Sequence, residues 1–119
     1  MRFMLKSKIH CACVTDTKLY YEGSLSIDTE VMNAADLIPY EMVYVYNINN
    51  GERFSTYVLP GKKGEICLNG AAARKGAIGD NIIITAFTLV KEEKIKTHKP
   101  KIVFLDEHNN IVRKEGEKN

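Results

Sequence analysis

The chain contains no tryptophan, only three prolines and three cysteines, and no apolar run that approaches the length needed to cross a bilayer. The missing apolar run argues for a soluble protein with no membrane partner. Three is an odd number, and Cys11, Cys13 and Cys67 lack the paired Cys-x-x-Cys spacing of a structural zinc site, so reduced, buried or half-buried thiols are expected. His10 adds no ready metal cluster, because alternate strand residues such as Cys11 and Cys13 share a face while His10 points the other way. A surplus of charge is absent too. The net value is +2, and the lysines at 91, 94, 96, 99 and 101 are scattered around Glu92 and Glu93. That is a solvated surface, and it lacks the concentrated basic stripe with stacking aromatics on which nucleic-acid binding relies. Charge also interrupts Met1-Arg2-Phe3-Met4-Leu5-Lys6 before an apolar h-region develops, which argues against a secretory signal and for a cytoplasmic location.

What is present fits one domain. A length of 119 residues allows a genuine core but no second one, so any active site must use that core or a subunit interface. Gly, Asn, Asp or Pro punctuates short segments rich in Val, Ile and Tyr, which is the rhythm of a small, mainly β barrel. Strands are expected over Met4–Val14, Tyr20–Ile27, Met42–Asn47, Arg53–Leu59, Glu65–Leu68, Asn81–Leu89 and Lys101–Leu105. Asn47-Ile48-Asn49-Asn50-Gly51 is a hairpin signal, because Asn and Gly tolerate positive φ. Short capping helices fit Thr29–Ala35 behind an Asp28 cap and a single turn behind Asn69. A third helical turn over Lys91–His98 would end before Pro100, and Lys114–Asn119 reads as a mobile tail.

The stretch with most chemical content is Glu22-Gly23-Ser24, between Tyr20-Tyr21 and the alternating run Leu25-Ser26-Ile27-Asp28. Glycine lacks a Cβ, so it permits strained φ/ψ values and lets the Ser24 hydroxyl approach the Gly23 carbonyl. Gly-Ser is equally a common turn dipeptide, and residue chemistry alone leaves both readings open. Further segments bear on the choice: Lys8-Ile9-His10, Asn50-Gly51-Glu52-Arg53-Phe54-Ser55-Thr56-Tyr57 and Asn69-Gly70-Ala71-Ala72-Ala73. The last could favour anions at its backbone N–H groups or be an alanine-rich capped turn. It is not a phosphate loop, since Gly70 to Lys75 lacks the Gly-x-x-x-x-Gly-Lys-Ser/Thr spacing.

In order and spacing, from Met4 to about Pro100, these segments resemble the aspartate 1-decarboxylase family. The resemblance implies a six-stranded double-psi β-barrel assembled as a homotetramer with sites between subunits. It also implies decarboxylation of L-aspartate to β-alanine and CO2 for pantothenate and coenzyme A synthesis. Decarboxylation needs an electron sink conjugated to the substrate amine, and no ordinary side chain carries a suitable ketone. The implied cofactor is a pyruvoyl group made from Ser24, which forms the Schiff base, with neither metal nor pyridoxal phosphate. Self-cleavage at Gly23-Ser24 would leave a β chain of residues 1–23 and an α chain of residues 24–119.

Residue by residue, the same resemblance makes Thr56 the donor for cleavage and a substrate contact, and Tyr57 the proton donor. It assigns Arg53 to a substrate carboxylate, with Lys8 as a second cation and His10 on the same strand face. Asn69, Gly70, Ala71 and Ala72 would bind substrate near the backbone. Departures are a shorter connection from Tyr57 to Asn69, containing Pro60, Gly61 and Gly64, and Tyr46 where enterobacterial members carry tryptophan. Two other readings remain at this point. One keeps the cofactor but takes another acidic amino acid such as glutamate. The other is an uncleaved barrel serving as a binding or assembly module.

Overall fold

Val43, Val45 and Asn47 alternate with Met42, Tyr44 and Tyr46, and burial follows the same period of two, with the first set inside. Such strands need a partner for their apolar face, and a barrel supplies it. The computed structural model describes residues 1–116. Among them are strands β1 (Arg2–Cys13), β2 (Asp16–Lys18), β3 (Ser24–Asp28), β4 (Met42–Asn47) and β5 (Arg53–Gly61), followed by β6 (Ile66–Asn69), β7 (Asn81–Val90), β8 (Lys101–Leu105) and β9 (Ile111–Glu115). One α-helix, α1 (Thr29–Ala34), and two 3-10 helices, Gly70–Lys75 and Glu92–Thr97, complete the set.

The hydrogen-bonded strand order is β2-β6-β3-β5-β4-β7-β1-β8-β9. Six of these strands close into a ring where the chain leaves β1. Thr15 N–H donates to the Ile66 carbonyl at 2.8 Å, and Ile66 N–H donates to Thr15 Oγ1 at 3.0 Å. The molecule is therefore a mainly β, barrel-like fold, with the β8–β9 hairpin flanking β1. Closure hides edges that would otherwise invite pairing with other chains. Ile9, Leu25, Ile27, Ile66, Leu68 and Ile82 fill the interior with no exposed surface. Burying each such side chain contributes roughly 1.5–3 kcal/mol before entropy is counted.

The hairpin expected at Asn47–Gly51 joins β4 to β5, with Gly51 at φ +76 and its N–H donating to the Asn47 carbonyl. Asp28 caps α1 as expected: Oδ1 accepts from Glu30 N–H at 2.8 Å, while Oδ2 accepts from Gly64 N–H at 2.8 Å. Elsewhere the structure corrects the sequence reading. The strand expected from Tyr20 begins at Ser24, and residues 19–23 form a turn with Tyr20 98% exposed. Aromatic β propensity has no effect there because no neighbouring strand offers a surface to pack on.

β2 was not expected because it has three residues, and β9 because its side chains are almost all exposed and show no apolar alternation. Lys114 and Glu115 belong to β9 instead of a mobile tail, while residues 117–119 lie outside the described residues. β1 is also irregular. Cys11 takes φ +64 where pairing with β7 slips, so the inward set passes from Ser7 and Ile9 to Ala12 and Val14. The simple alternation expected for Cys11 and Cys13 does not hold across this bulge.

Buried polar side chains tie the irregular parts together. Asn109, 1% exposed and at φ +62, donates from Nδ2 to the Cys13 and Gly64 carbonyls, both at 2.9 Å, and accepts from Cys13 N–H at 2.8 Å. It joins the end of β1 to the β5–β6 connection. Asn109→Ala removes the side-chain partner of three half-buried backbone groups and should cost about 2–4 kcal/mol of stability. Urea denaturation measures this as a lower midpoint with an unchanged slope.

Candidate active site

Pairing places Ser24, the first residue of β3, opposite Asn69, the last of β6. On its other side β3 runs parallel to β5 with Leu25 opposite Val58, so one residue earlier on each strand come Ser24 and Tyr57. These elements enclose a pocket of about 230 Å3 lined by Gly23, Ser24, Thr56, Tyr57, Asn69, Ala71 and Ala72, with Phe54, Ser55 and Lys75 completing the wall. A larger cleft of about 660 Å3 lies among Lys6, Lys94, His98 and Lys101. It holds none of the segments singled out in the sequence, so the smaller pocket is the better candidate.

Ser24 is the unusual residue of this pocket. It is 1% exposed, its φ is +157, and its Oγ is buried without a hydrogen-bond partner. An unsatisfied buried hydroxyl costs on the order of 1–3 kcal/mol, and positive φ at a residue with a Cβ adds backbone strain. The sequence reading placed the strain at Gly23. The structure puts the unusual φ on Ser24 instead, and Gly23 is not among the positive-φ glycines.

Gly70 explains how the junction is held. Its φ is +59, and an added Cβ would stand 2.8 Å from Gly23 Cα and 3.1 Å from the Tyr21 carbonyl oxygen. Only glycine allows the two chain segments to approach this closely. Asn69 does not cap the following helix with its side chain, contrary to expectation. Its Nδ2 donates to Ser26 Oγ at 3.0 Å, and its Oδ1 accepts from Cys67 Sγ at 3.1 Å. Burial pushes the Cys67 thiol up, with nearby Asp16 and Glu65 adding to the effect, so the sulfur stays protonated and able to donate.

The other expected residues divide. Thr56 and Tyr57 reach the pocket; Tyr57 is 39% exposed, with its ring 6.2 Å from that of Tyr40. Arg53 lies outside it, with its guanidinium 3.9 Å from the centre of the Tyr46 ring, and Tyr46 does not line the pocket either. Lys8 and His10 sit on β1 and do not line the pocket of this chain. His10 packs edge-on against Phe104, and its Nδ1 is buried without a partner.

Lys75 was not anticipated, although it follows the Asn69–Ala73 segment by two residues. Isolated lysines usually mark solvated surface, and only the fold makes this one part of the pocket wall. Its Nζ donates to Glu52 Oε2 at 3.0 Å.

Fold and pocket together define a small barrel-like protein with a polar pocket at a backbone junction. Comparison with known proteins agrees: the aspartate decarboxylase family model matches residues 1–112. The chain belongs to that family. It is 60% identical to the aspartate 1-decarboxylase of Syntrophus aciditrophicus (strain SB) over 112 residues, covering 92% of this chain and 97% of that protein. Against the aspartate 1-decarboxylase of Caldicellulosiruptor saccharolyticus the identity is 56% over 112 residues, covering 92% and 88%. Against that of Sulfurihydrogenibium sp. (strain YO3AOP1) it is 50% over 118 residues, covering 98% and 88%.

The Gly70 contact makes a direct prediction. Gly70→Ala must push the Gly23 backbone away and hold alanine at positive φ, so stability should fall by about 1–3 kcal/mol. In amide NMR spectra the largest shifts should cluster at residues 21–24, with the β8–β9 hairpin unmoved.

Proposed function

We propose that the protein decarboxylates L-aspartate to β-alanine and CO2, supplying pantothenate and coenzyme A synthesis, with a pyruvoyl group generated from its own Ser24. The observation that carries this reading is the buried, unpartnered Ser24 hydroxyl at φ +157 beside Thr56 and Tyr57. A hydroxyl with no competing hydrogen bond is free to act as a nucleophile.

Maturation uses this chain's own atoms. Ser24 Oγ attacks the Gly23 carbonyl carbon, the peptide C–N bond breaks, and the acyl group moves from nitrogen to oxygen. Elimination then removes the Ser24 α-proton to solvent and breaks the Cβ–O bond, freeing Gly23 as a carboxylate and leaving a dehydroalanine at position 24. Water converts that residue to a ketone and releases ammonia. Thr56 is the donor for the oxyanion that develops on Gly23, a contribution of several kcal/mol when such a donor is well placed. The products are a β chain of residues 1–23 and an α chain of residues 24–119, still joined through the pairing of β1 with β7 and β8 and of β2 with β6.

The residues fit the group. Ser24 already lies against Asn69, Ala71 and Ala72, small or amide-bearing neighbours that let a substrate approach the backbone. When formed, the pyruvoyl ketone supplies the electron sink for loss of the α-carboxylate. Tyr57 donates the proton to substrate carbon from the pocket wall. Asn69 and the Gly70-Ala71-Ala72 backbone orient the substrate.

Arg53, Lys8 and His10 are proposed to complete the site across a subunit boundary in a homotetramer. Two observations support this: these residues are absent from the pocket of their own chain, and an exposed apolar strip of Phe3, Met42, Tyr44 and Phe87 lies on the outer face of the barrel. Apolar area of this kind commonly marks an interface. Among the described residues no helix is long and apolar enough to cross a membrane, and a cytoplasmic location is proposed for the assembly.

The test is the formation of β-alanine and CO2 from L-aspartate by the purified protein. Tyr57→Phe should keep Gly23-Ser24 cleavage and lower decarboxylation by about 100-fold or more. Thr56→Val should slow cleavage itself. Undiminished β-alanine production by Ser24→Ala would refute the proposal.

A further inference from the structure

The Ser24 pocket is nearly all neutral. Among its described lining residues Lys75 alone carries a formal charge, while Ser24, Ser55, Thr56, Tyr57 and Asn69 supply uncharged polar groups. Lys75 is positioned by the hairpin that also delivers Arg53, Thr56 and Tyr57. Its carbonyl accepts from Asn47 Nδ2 at 3.1 Å and from Asn50 Nδ2 at 2.9 Å, while its Nζ is held by Glu52 Oε2 at 3.0 Å. Glu52 is fixed in turn, because its N–H donates to Asn50 Oδ1 at 2.9 Å. The backbone at Lys75 is thus clamped while its long side chain remains the movable part.

We infer that Lys75 is a specificity-determining residue, a cation that exchanges its Glu52 partner for a carboxylate of an incoming dicarboxylic substrate. The inference rests on the reading of this pocket as the aspartate site. Both members of the ion pair are nearly half exposed, 44% and 45%, and a pair so hydrated is weak. Changing partners therefore costs little, and inside the pocket the same cation acts through a less polar medium and gains strength. Glu52 sets the opposing condition. It neutralises Lys75 when the pocket is empty and competes with the ligand for it, so binding affinity reports the balance of the two.

The experiment titrates succinate, a dicarboxylate without the reacting amine, into the intact protein and follows the amides of Thr56 and Ala72 by NMR. Lys75→Met should weaken succinate binding by about 5- to 10-fold, and Glu52→Gln should tighten it by about 2- to 5-fold. Lys63→Met, which breaks a comparable exposed pair with Glu30 elsewhere, should leave it unchanged. The Lys75 effect should shrink as salt is raised. With L-aspartate as substrate, KM should move in the same direction as the succinate Kd, rising in Lys75→Met and falling in Glu52→Gln, while kcat stays constant.

Equal succinate affinity in wild type and Lys75→Met, or a fall in kcat with KM unmoved, overturns the inference. If succinate binding follows the predicted pattern but no protein variant forms β-alanine, the dicarboxylate site stands and the decarboxylase reading falls.

Discussion

The close approach of Gly70 to Gly23 is the constraint on which the rest of the site depends. A Cβ on Gly70 would come within 2.8 Å of Gly23 Cα, so the start of one 3-10 helix lies directly against the junction before β3. Pairing of Ser24 with Asn69 then fixes the strand register, and the parallel neighbour β5 brings Thr56 and Tyr57 alongside. With the backbone held from both sides, Ser24 keeps a positive φ and a buried hydroxyl that finds no partner. A closed barrel can bear that local cost because its apolar interior is continuous around it.

Asparagine does much of the remaining positioning. Asn47 accepts from two N–H groups of its own turn and donates to the Lys75 carbonyl and to Asp80 Oδ2, joining the β4–β5 hairpin to the helix that walls the pocket. Asn69 bridges Ser26 and Cys67, and Asn109 bridges β1 to the β5–β6 connection. Asn47 and Asn109 use an amide's paired donor and acceptor to join backbones that no regular ladder connects, and Asn69 uses its own to link side chains across the β3–β6 ladder. A side chain with only one kind of hydrogen-bonding group could not do this.

Much of the fold was legible in the sequence. The β4–β5 hairpin, the Asp28 cap and the strand Lys101–Leu105 follow from turn chemistry and alternation, which are local. β2, β9 and the turn at residues 19–23 were not legible, because their states depend on which neighbours the closed ring provides. The Cys11 bulge falls in the same class. Of the site, Ser24, Thr56, Tyr57 and the Asn69–Ala72 segment stood out through a family resemblance carried by their spacing, and the fold brings all of them except Gly70 to the wall of one pocket. Lys75 escaped notice because a lysine's role depends on where its flexible stem is anchored, which only tertiary contacts decide. Lys8, His10 and Arg53 were visible by resemblance, yet one chain alone does not place them at Ser24.

The central claim is that the chain makes its own reactive carbonyl by breaking the Gly23-Ser24 bond. Intact mass spectrometry of the purified protein under denaturing conditions, before and after prolonged warm incubation, tests it most directly. The account predicts fragments of residues 1–23 and 24–119 from the native sequence, the larger with a pyruvoyl-blocked amino terminus, and an unbroken chain from Ser24→Ala. A native chain that stays whole, or a Ser24→Ala chain that splits at the same bond, would contradict it.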